Sequence, residues 1–321
     1  MSKVKTILGI DISKDTFDVY NPERGHHNYQ NDLKGFKSFI KTLSNDCWAV
    51  MEATGSYHHR LALFLYEKGI FVSVVNPLVV KRFIQMKLNR VKTDKSDATM
   101  IYRYGQEQIL APWKPDPVYV NQCKELQSVV QLYIKQHTAL SNKLHSLVSK
   151  GLTKGKAITS LKRLIRTIER EIGLLEKEMQ SLIQENEADL YTRVKSIPGL
   201  GKKTALLLIV STNGFKDFES SKQISSYFGL APHERSSGSS VRGKTRIGKN
   251  GHPSVRNHLF LCSFTACMYN TQCKMLYERL VAKGKSKKLA LIAVSNKLIK
   301  QAYGIAKSGL YYDENYRNKL V

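Results

Sequence analysis

The sequence predicts an α/β fold for its first hundred residues and an almost wholly helical fold for the rest. Three observations carry that prediction. Short apolar runs alternate with helix-spaced segments as far as Val75. Two long stretches between Leu126 and Leu182 repeat apolar residues at intervals of three and four. From Tyr191 onward, helix-spaced segments are divided by one glycine-rich basic stretch. The expected division is residues 1–110, a linker and helical hairpin over 111–190, and a C-terminal domain over 191–321.

Thr6 to Ile12 is an apolar run with strand character, and Thr16 to Tyr20 is the next. Asn21 to Gly25 is a turn, and His27 to Gln30 a third strand. Phe36, Phe39, Ile40 and Leu43 give Gly35 to Leu43 helix spacing. Cys47 to Met51 reads as a buried strand, Tyr57 to Lys68 as a helix closed by Gly69, and Ile70 to Val75 as a strand stopped by Asn76-Pro77. Three strands followed by strand and helix units is the order of an RNase H-like domain, and it also fits other α/β layouts.

Pro77 to Gln108 reads as helical with a break near Asn89, and Pro112, Pro115 and Pro117 mark a linker. Leu126, Val130, Tyr133, His137, Leu140, Leu144 and Leu147 recur with coiled-coil periods, as do Leu161, Ile165, Ile168, Ile172, Leu175, Met179 and Leu182. A turn within Gly151 to Lys156 makes an antiparallel hairpin, either packed within one chain or also joining copies. His137 lies on its apolar seam, packed or bonded to a partner. Beyond Tyr191, helices are expected over Leu206–Val210, Gln223–Phe228, Ser254–Met268 and Ser286–Ala302.

The charge identifies a class of partner. Lys plus Arg number 51 against 26 Asp plus Glu, a net of +25, and apolar residues reach 42%, so this is a folded protein suited to a polyanion. Between Tyr191 and Val321, 23 basic residues face 6 acidic ones, which makes the C-terminal part the electrostatic footprint. No segment has the apolar length of a bilayer span, and no signal-peptide pattern opens the chain. Five cysteines without a CxxC motif read as reduced thiols of a cytoplasmic protein and argue against structural zinc.

Four carboxylates form the first candidate site. Asp11 ends one strand and Glu52 another, and adjacent strand ends can bring them together. Asp94 and Asp97 are three residues apart, hence on one face of a helix. Such crowding is relieved by a hard divalent cation, and Mg²⁺ takes oxygen ligands and retains waters. Metal ions so held can activate one oxygen and stabilise another at a phosphate. Each carboxylate also has an ordinary structural role open to it: Asp11 in a turn, Glu52 at a helix start, and Asp94 or Asp97 as a cap or paired with Lys92 or Lys95.

The second candidate site is Ser236-Ser237-Gly238, set among Arg235, Arg242, Lys244, Arg246, Lys249 and Arg256. Cations spaced by glycines suit a loop laid against phosphates. A serine there could attack phosphorus and hold a covalent phosphoserine–DNA link; the same run also fits a flexible polar loop. Ile197-Pro198-Gly199-Leu200-Gly201, followed by Lys202 and Lys203, has the form of a helix-hairpin-helix turn that offers backbone N–H groups to a phosphate. Lys202 and Lys203 join the basic residues above as nucleic-acid-binding candidates.

These motifs resemble a known family. Gly9-Ile10-Asp11-Ile12-Ser13-Lys14, Met51-Glu52-Ala53-Thr54-Gly55 and Lys92-Thr93-Asp94-Lys95-Ser96-Asp97-Ala98 are similar to the motifs of the DEDD transposases of insertion sequences, relatives of the Piv and MooV invertases. Ile197 to Gly201, Gly229-Leu230-Ala231-Pro232, Ser236-Ser237-Gly238 and Gly248 to Leu259 resemble that family's C-terminal domain, so the likeness spans most of the chain.

The resemblance implies an RNase H-like domain of the Holliday-junction-resolvase kind, with catalytic and metal-binding carboxylates Asp11, Glu52, Asp94 and Asp97. It implies Mg²⁺, and a nucleophilic serine at Ser237, with Ser236 as an adjacent ambiguity. It further implies double-stranded donor and target DNA, a structured non-coding guide RNA, dimers joining into tetramers, and a bacterial cytoplasmic location. The expected function is RNA-guided excision and insertion of an element through a phosphoserine–DNA intermediate. The alternatives are a metal-dependent junction endonuclease, a DNA invertase, or a non-catalytic RNA-binding architectural protein.

Overall fold

The computed structural model describes residues 6–44, 46–87, 94–233, 236–237, 241–242, 246–248 and 251–315. The chain forms two compact units, Met1–Pro115 and Asp116–Val321.

The first unit is built on a mixed sheet. Strands β1 (Thr6–Ile12), β2 (Thr16–Asn21), β3 (Gly25–Gln30), β4 (Cys47–Glu52) and β5 (Phe71–Val75) lie in the order β3-β2-β1-β4-β5. β1, β2 and β3 are antiparallel neighbours, whereas β4 and β5 run parallel to β1. Three meandering strands followed by parallel ones, with helices on both faces, is the RNase H-like arrangement.

Alternation along β1 fixes the two faces. Leu8, Ile10 and Ile12 are buried with Phe17, Ala49, Met51 and residues of α1 (Leu33–Ile40) and α2 (Tyr57–Glu67). Burying each such side chain stabilises the fold by about 1.5–3 kcal/mol. The other face carries Val50 packed with Val80 and Ile101 of α3 (Pro77–Met86) and α4 (Asp94–Glu107). Asn76 starts α3, its side chain accepting from the Leu78 N–H at 2.9 Å, with Pro77 in the first turn. The break expected near Asn89 lies outside the described residues.

The second unit is helical apart from short strands. α5 (Val118–Ser149) and α6 (Lys156–Lys195) pack as the expected hairpin. His137 Nε2 lies 3.0 Å from Glu169 Oε1, so the seam histidine bonds across the pair. α6 runs past Tyr191 to Lys195, with a kink at Glu187 (φ −141°, ψ 36°). The Glu187 carboxylate there accepts from Tyr119 Oη at 2.8 Å and Lys216 Nζ at 2.7 Å.

α7 (Lys202–Ser211) is buried from Thr204 through Val210, as befits a helix apolar on all sides. It packs against α5, α6 and α9 (Pro253–Tyr269), and α8 (Ser221–Tyr227), α10 (Thr271–Ala282) and α11 (Lys287–Ser308) complete the same core. All five cysteines are free thiols. No helix among the described residues is long and apolar enough to cross a membrane.

Candidate functional site

The carboxylate end of the first unit is set by parallel pairing. β1 and β4 are hydrogen-bonded up to the pair Ile10↔Met51, so Asp11 and Glu52 follow in register at the same end of adjacent strands. Their common face follows from glycine packing. A Cβ on Gly105 of α4 would lie 2.8 Å from Ile7 Cγ2 and 3.0 Å from Val50 Cγ2. A Cβ on Gly9 would lie 2.1 Å from the Ala98 carbonyl oxygen and 2.4 Å from the Tyr102 nitrogen.

α4 therefore lies directly on Ile7, Gly9 and Val50, running antiparallel to β1. With a strand period of two, Asp11 and Glu52 share that face, and the first turn of α4, which holds Asp94 and Asp97, reaches their level. Asp11, Glu52 and Asp97 are half-buried. Asp97 Oδ1 accepts from Ser96 Oγ at 3.4 Å. The Asp94 backbone starts α4, and its side chain lies outside the described residues.

Among the described residues, which leave out the Asp94 side chain, no three His, Cys, Asp or Glu side chains form a group that could hold a metal ion. Their donor set is nonetheless all oxygen, anionic and half-sheltered at one sheet end, and it fits a hard divalent cation that keeps part of its water shell.

Another carboxylate joins this face. Asp18 stands opposite Asp11 across the antiparallel β1–β2 pair, and its Oδ2 accepts from Asn28 Nδ2 at 3.0 Å. The sequence signal for it was present in the Thr16–Tyr20 alternation, which buries Phe17 and Val19 and turns Asp18 to the other face.

In the second unit, the hairpin before α7 is tight because Gly199 has φ +103° and a Cβ there would lie 2.7 Å from Ala266 Cβ. Lys202 is exposed in the first turn of α7. Lys203 Nζ is engaged by Glu176 Oε2 at 2.7 Å. The basic stretch is an antiparallel ribbon at its described residues. Pro232–His233 (β6) pairs with Arg246–Ile247 (β9), and Ser236–Ser237 (β7) with Val241–Arg242 (β8), one pairing nested inside the other.

The base of the ribbon is clamped: His252 Nε2 lies 3.0 Å from Tyr227 Oη, and Arg256 Nη1 donates to the Phe228 carbonyl at 3.0 Å. Arg246 is exposed. Arg235, Lys244, Lys249 and the side chains of Arg242, Ser236 and Ser237 lie outside the described residues.

Burial pushes the pKa of His58, at the start of α2, below its ordinary value, with the His59 charge adding to the effect and the Gly55 and Thr54 carbonyls opposing it. Burial likewise lowers His258, with Lys203 acting the same way and Glu176 opposing. A histidine held neutral in the fold stabilises it above its ordinary pKa of 6.5. That stability is lost as pH falls below this value through the depressed folded one, because the unfolded chain then binds more protons. The urea midpoint is therefore expected to drop from about pH 7.5 to about pH 5.5, and His258→Gln to flatten the drop. A midpoint that rises on acidification refutes this.

Comparison with known proteins agrees with both halves. A DEDD transposase family model of the IS110 type matches residues 8–151. The model described as the transposase IS116/IS110/IS902 family matches residues 191–278. A pilin gene-inverting protein of Moraxella bovis is 28% identical, over 97% of this chain and 98% of its own length. The Moraxella lacunata protein of the same description is also 28% identical, over 97% and 98%. The transposase for insertion sequence element IS1111A of Coxiella burnetii is 26% identical, over 91% and 86%.

These matches correct one expectation. They support a metal-dependent, RNase H-like DNA recombination mechanism, and not a covalent phosphoserine–DNA intermediate at Ser237 or Ser236. The physical reason for the error lies in the serine run's setting: dense cations suit phosphate binding as well as nucleophilic attack, and they discriminate poorly between the two. The backbone of Ser236 and Ser237 serves the ribbon, opposite Arg242 and Val241.

Proposed function

We propose, since the chain belongs to the DEDD transposase and invertase family of the IS110 group, that it recombines double-stranded DNA by Mg²⁺-dependent strand cleavage at Asp11, Glu52, Asp94 and Asp97. It is an enzyme that acts on DNA by a metal-dependent mechanism. The observation that carries the reading is the close approach of α4 to Gly9, which brings the helix start beside the ends of β1 and β4.

The four carboxylates would hold the cation. When bound, it supplies Lewis acidity toward a phosphate oxygen and lowers the pKa of a coordinated water. The chain's own residues do the remaining work. Asp11 and Glu52, fixed by strand pairing, set the spacing of the oxygen donors, and the rigid sheet holds that spacing without reorganisation. Lys202, Arg235, Arg242, Lys244, Arg246 and Lys249 hold the DNA backbone. A nested two-stranded ribbon suits duplex DNA, because such a ribbon fits a major groove. Lys203 and Arg256 contribute field while supporting α6 and the ribbon base.

In this reading residues 1–110 cut, 111–190 join copies of the chain, and 191–321 face nucleic acid. The relatives' descriptions divide between inversion and transposition. The family resemblance adds a structured non-coding RNA and a dimer-to-tetramer assembly as partners, and the net charge of +25 suits a second polyanion.

Metal removal tests the reading. Purified protein, with any RNA that accompanies it, is incubated with labelled junction and duplex DNA in Mg²⁺ or in chelator. Cleavage in Mg²⁺ that stops on chelation and returns on Mg²⁺ addition is expected. Equal cleavage in chelator refutes the reading.

A further inference from the structure

Asp11 is followed by a turn and Glu52 leads into α2, and one side chain bridges that turn and the start of that helix. Asn31, the residue after β3, donates from Nδ2 to the Ser13 carbonyl at 2.9 Å and to the Tyr57 carbonyl at 3.4 Å. Ser13 lies in the turn just beyond Asp11, and Tyr57 begins the helix reached from Glu52.

The bridge stands on a fixed base. The Asn31 N–H donates to the Asp15 carbonyl at 2.8 Å, and the neighbouring Asp32 caps α1 by accepting from the Gly35 N–H at 2.8 Å. The turn it grips is also closed, with the Ser13 N–H donating to the Thr16 carbonyl at 2.9 Å. Asn31 Oδ1 is buried and accepts no hydrogen bond among the described residues. Only the donor half of this amide is used, one bond going to the turn that leaves β1 and the other to the first residue of α2. The orientation of the amide is fixed by this, since two carbonyls can be met only by its NH₂ group.

We propose that Asn31 is a positioning residue for DNA cleavage. It ties the turn after Asp11 to the start of α2, the helix reached from Glu52, and so holds the two carboxylates at cation-binding spacing against their mutual repulsion. The inference rests on the carboxylate reading above, and it deepens that reading by naming what sets the spacing. Asn31 acts through the Ser13 and Tyr57 carbonyls, without touching metal or DNA. Supporting residues of this kind change metal affinity by about 10–100-fold when removed.

The test uses the full chain and Mn²⁺ as the probe. Free Mn²⁺ is counted by electron paramagnetic resonance for wild type, Asn31→Ala, Asn31→Ser and Asp11→Asn, beside a Mg²⁺ titration of DNA cleavage and a urea midpoint. Asn31→Ala is expected to weaken Mn²⁺ binding about tenfold and to raise half-saturating Mg²⁺ by a similar factor. The cleavage rate at saturating Mg²⁺ should largely recover, a split that a general loss of folding does not produce.

Folded Asn31→Ala with wild-type Mn²⁺ affinity overturns the proposal. Should Asn31→Ala fail to fold, Asn31→Ser decides in its place, because its hydroxyl is too short to span both carbonyls: weakened binding supports the bridge, and wild-type affinity overturns it. Asp11→Asn separates the two ideas. If it binds Mn²⁺ normally, the carboxylate reading falls and takes this proposal with it. If it loses Mn²⁺ while Asn31→Ala does not, the bridge alone falls.

Discussion

Asp11→Asn is expected to lower Mg²⁺-dependent DNA cleavage by about a thousandfold or more, since the metal's share of transition-state charge stabilisation is worth several kcal/mol. The substitution keeps the side chain's size, so the β1–β4 pairing through Ile10↔Met51 and the apolar face of Leu8, Ile10 and Ile12 stay intact. It removes an anionic donor from the position where β1 ends beside Glu52. The urea midpoint should move little, and DNA binding measured without metal should persist, because the basic ribbon and Lys202 belong to the other unit. Single-turnover cleavage of labelled DNA across a Mg²⁺ series reads the effect. Wild-type turnover by folded Asp11→Asn would remove the carboxylates from the reaction.

Gly9→Val should damage both the fold and the activity. Even a Cβ at residue 9 would lie 2.1 Å from the Ala98 carbonyl oxygen and 2.4 Å from the Tyr102 nitrogen, and both obstacles are backbone. Backbone atoms cannot rotate away as a side-chain tip can, so α4 has to lift from the sheet. Overpacking a core costs about 1–3 kcal/mol, and a helix displaced along its length lies at the upper end of that range. Lifting α4 also carries Asp94 and Asp97 away from Asp11. Gly9→Ala should therefore lose activity out of proportion to its loss of stability, and Gly9→Val should lose both. Urea denaturation beside cleavage assays separates these effects. Normal stability and activity in Gly9→Val would show that α4 does not bear on the sheet at this point.

The strands of the first unit were legible because their signals are local. Period-two burial in Thr6–Ile12, the Asn21–Gly25 turn and the Asn76-Pro77 stop each act within a few residues. The same patterns put Asp11 and Glu52 at strand ends. The face that Asp11 and Glu52 share with α4 was less legible, because it depends on two glycines, Gly9 and Gly105, meeting residues about ninety and fifty to a hundred positions away.

Long-range pairing also explains what the basic stretch concealed. Its strands are two residues each, too short for a periodic signal, and read as a loop until the nested registers are seen. Lys203 looked like a free cation because Glu176 lies 27 positions earlier and reaches it only through packing of α6 against α7.

The kink at Glu187 divides α6 into two unequal arms. Both sides of it are anchored in the helical core, through Met179 and Ile183 before the kink and Leu190, Tyr191 and Val194 beyond it, and from there the helix runs back toward Lys156 beside α5. At 1.5 Å per residue, the arm from Glu187 to Lys156 is about 47 Å long. Tyr119 and Lys216 hold the Glu187 carboxylate at that point, so the bend in α6 is tied both to the first turn of α5 and to the segment after α7.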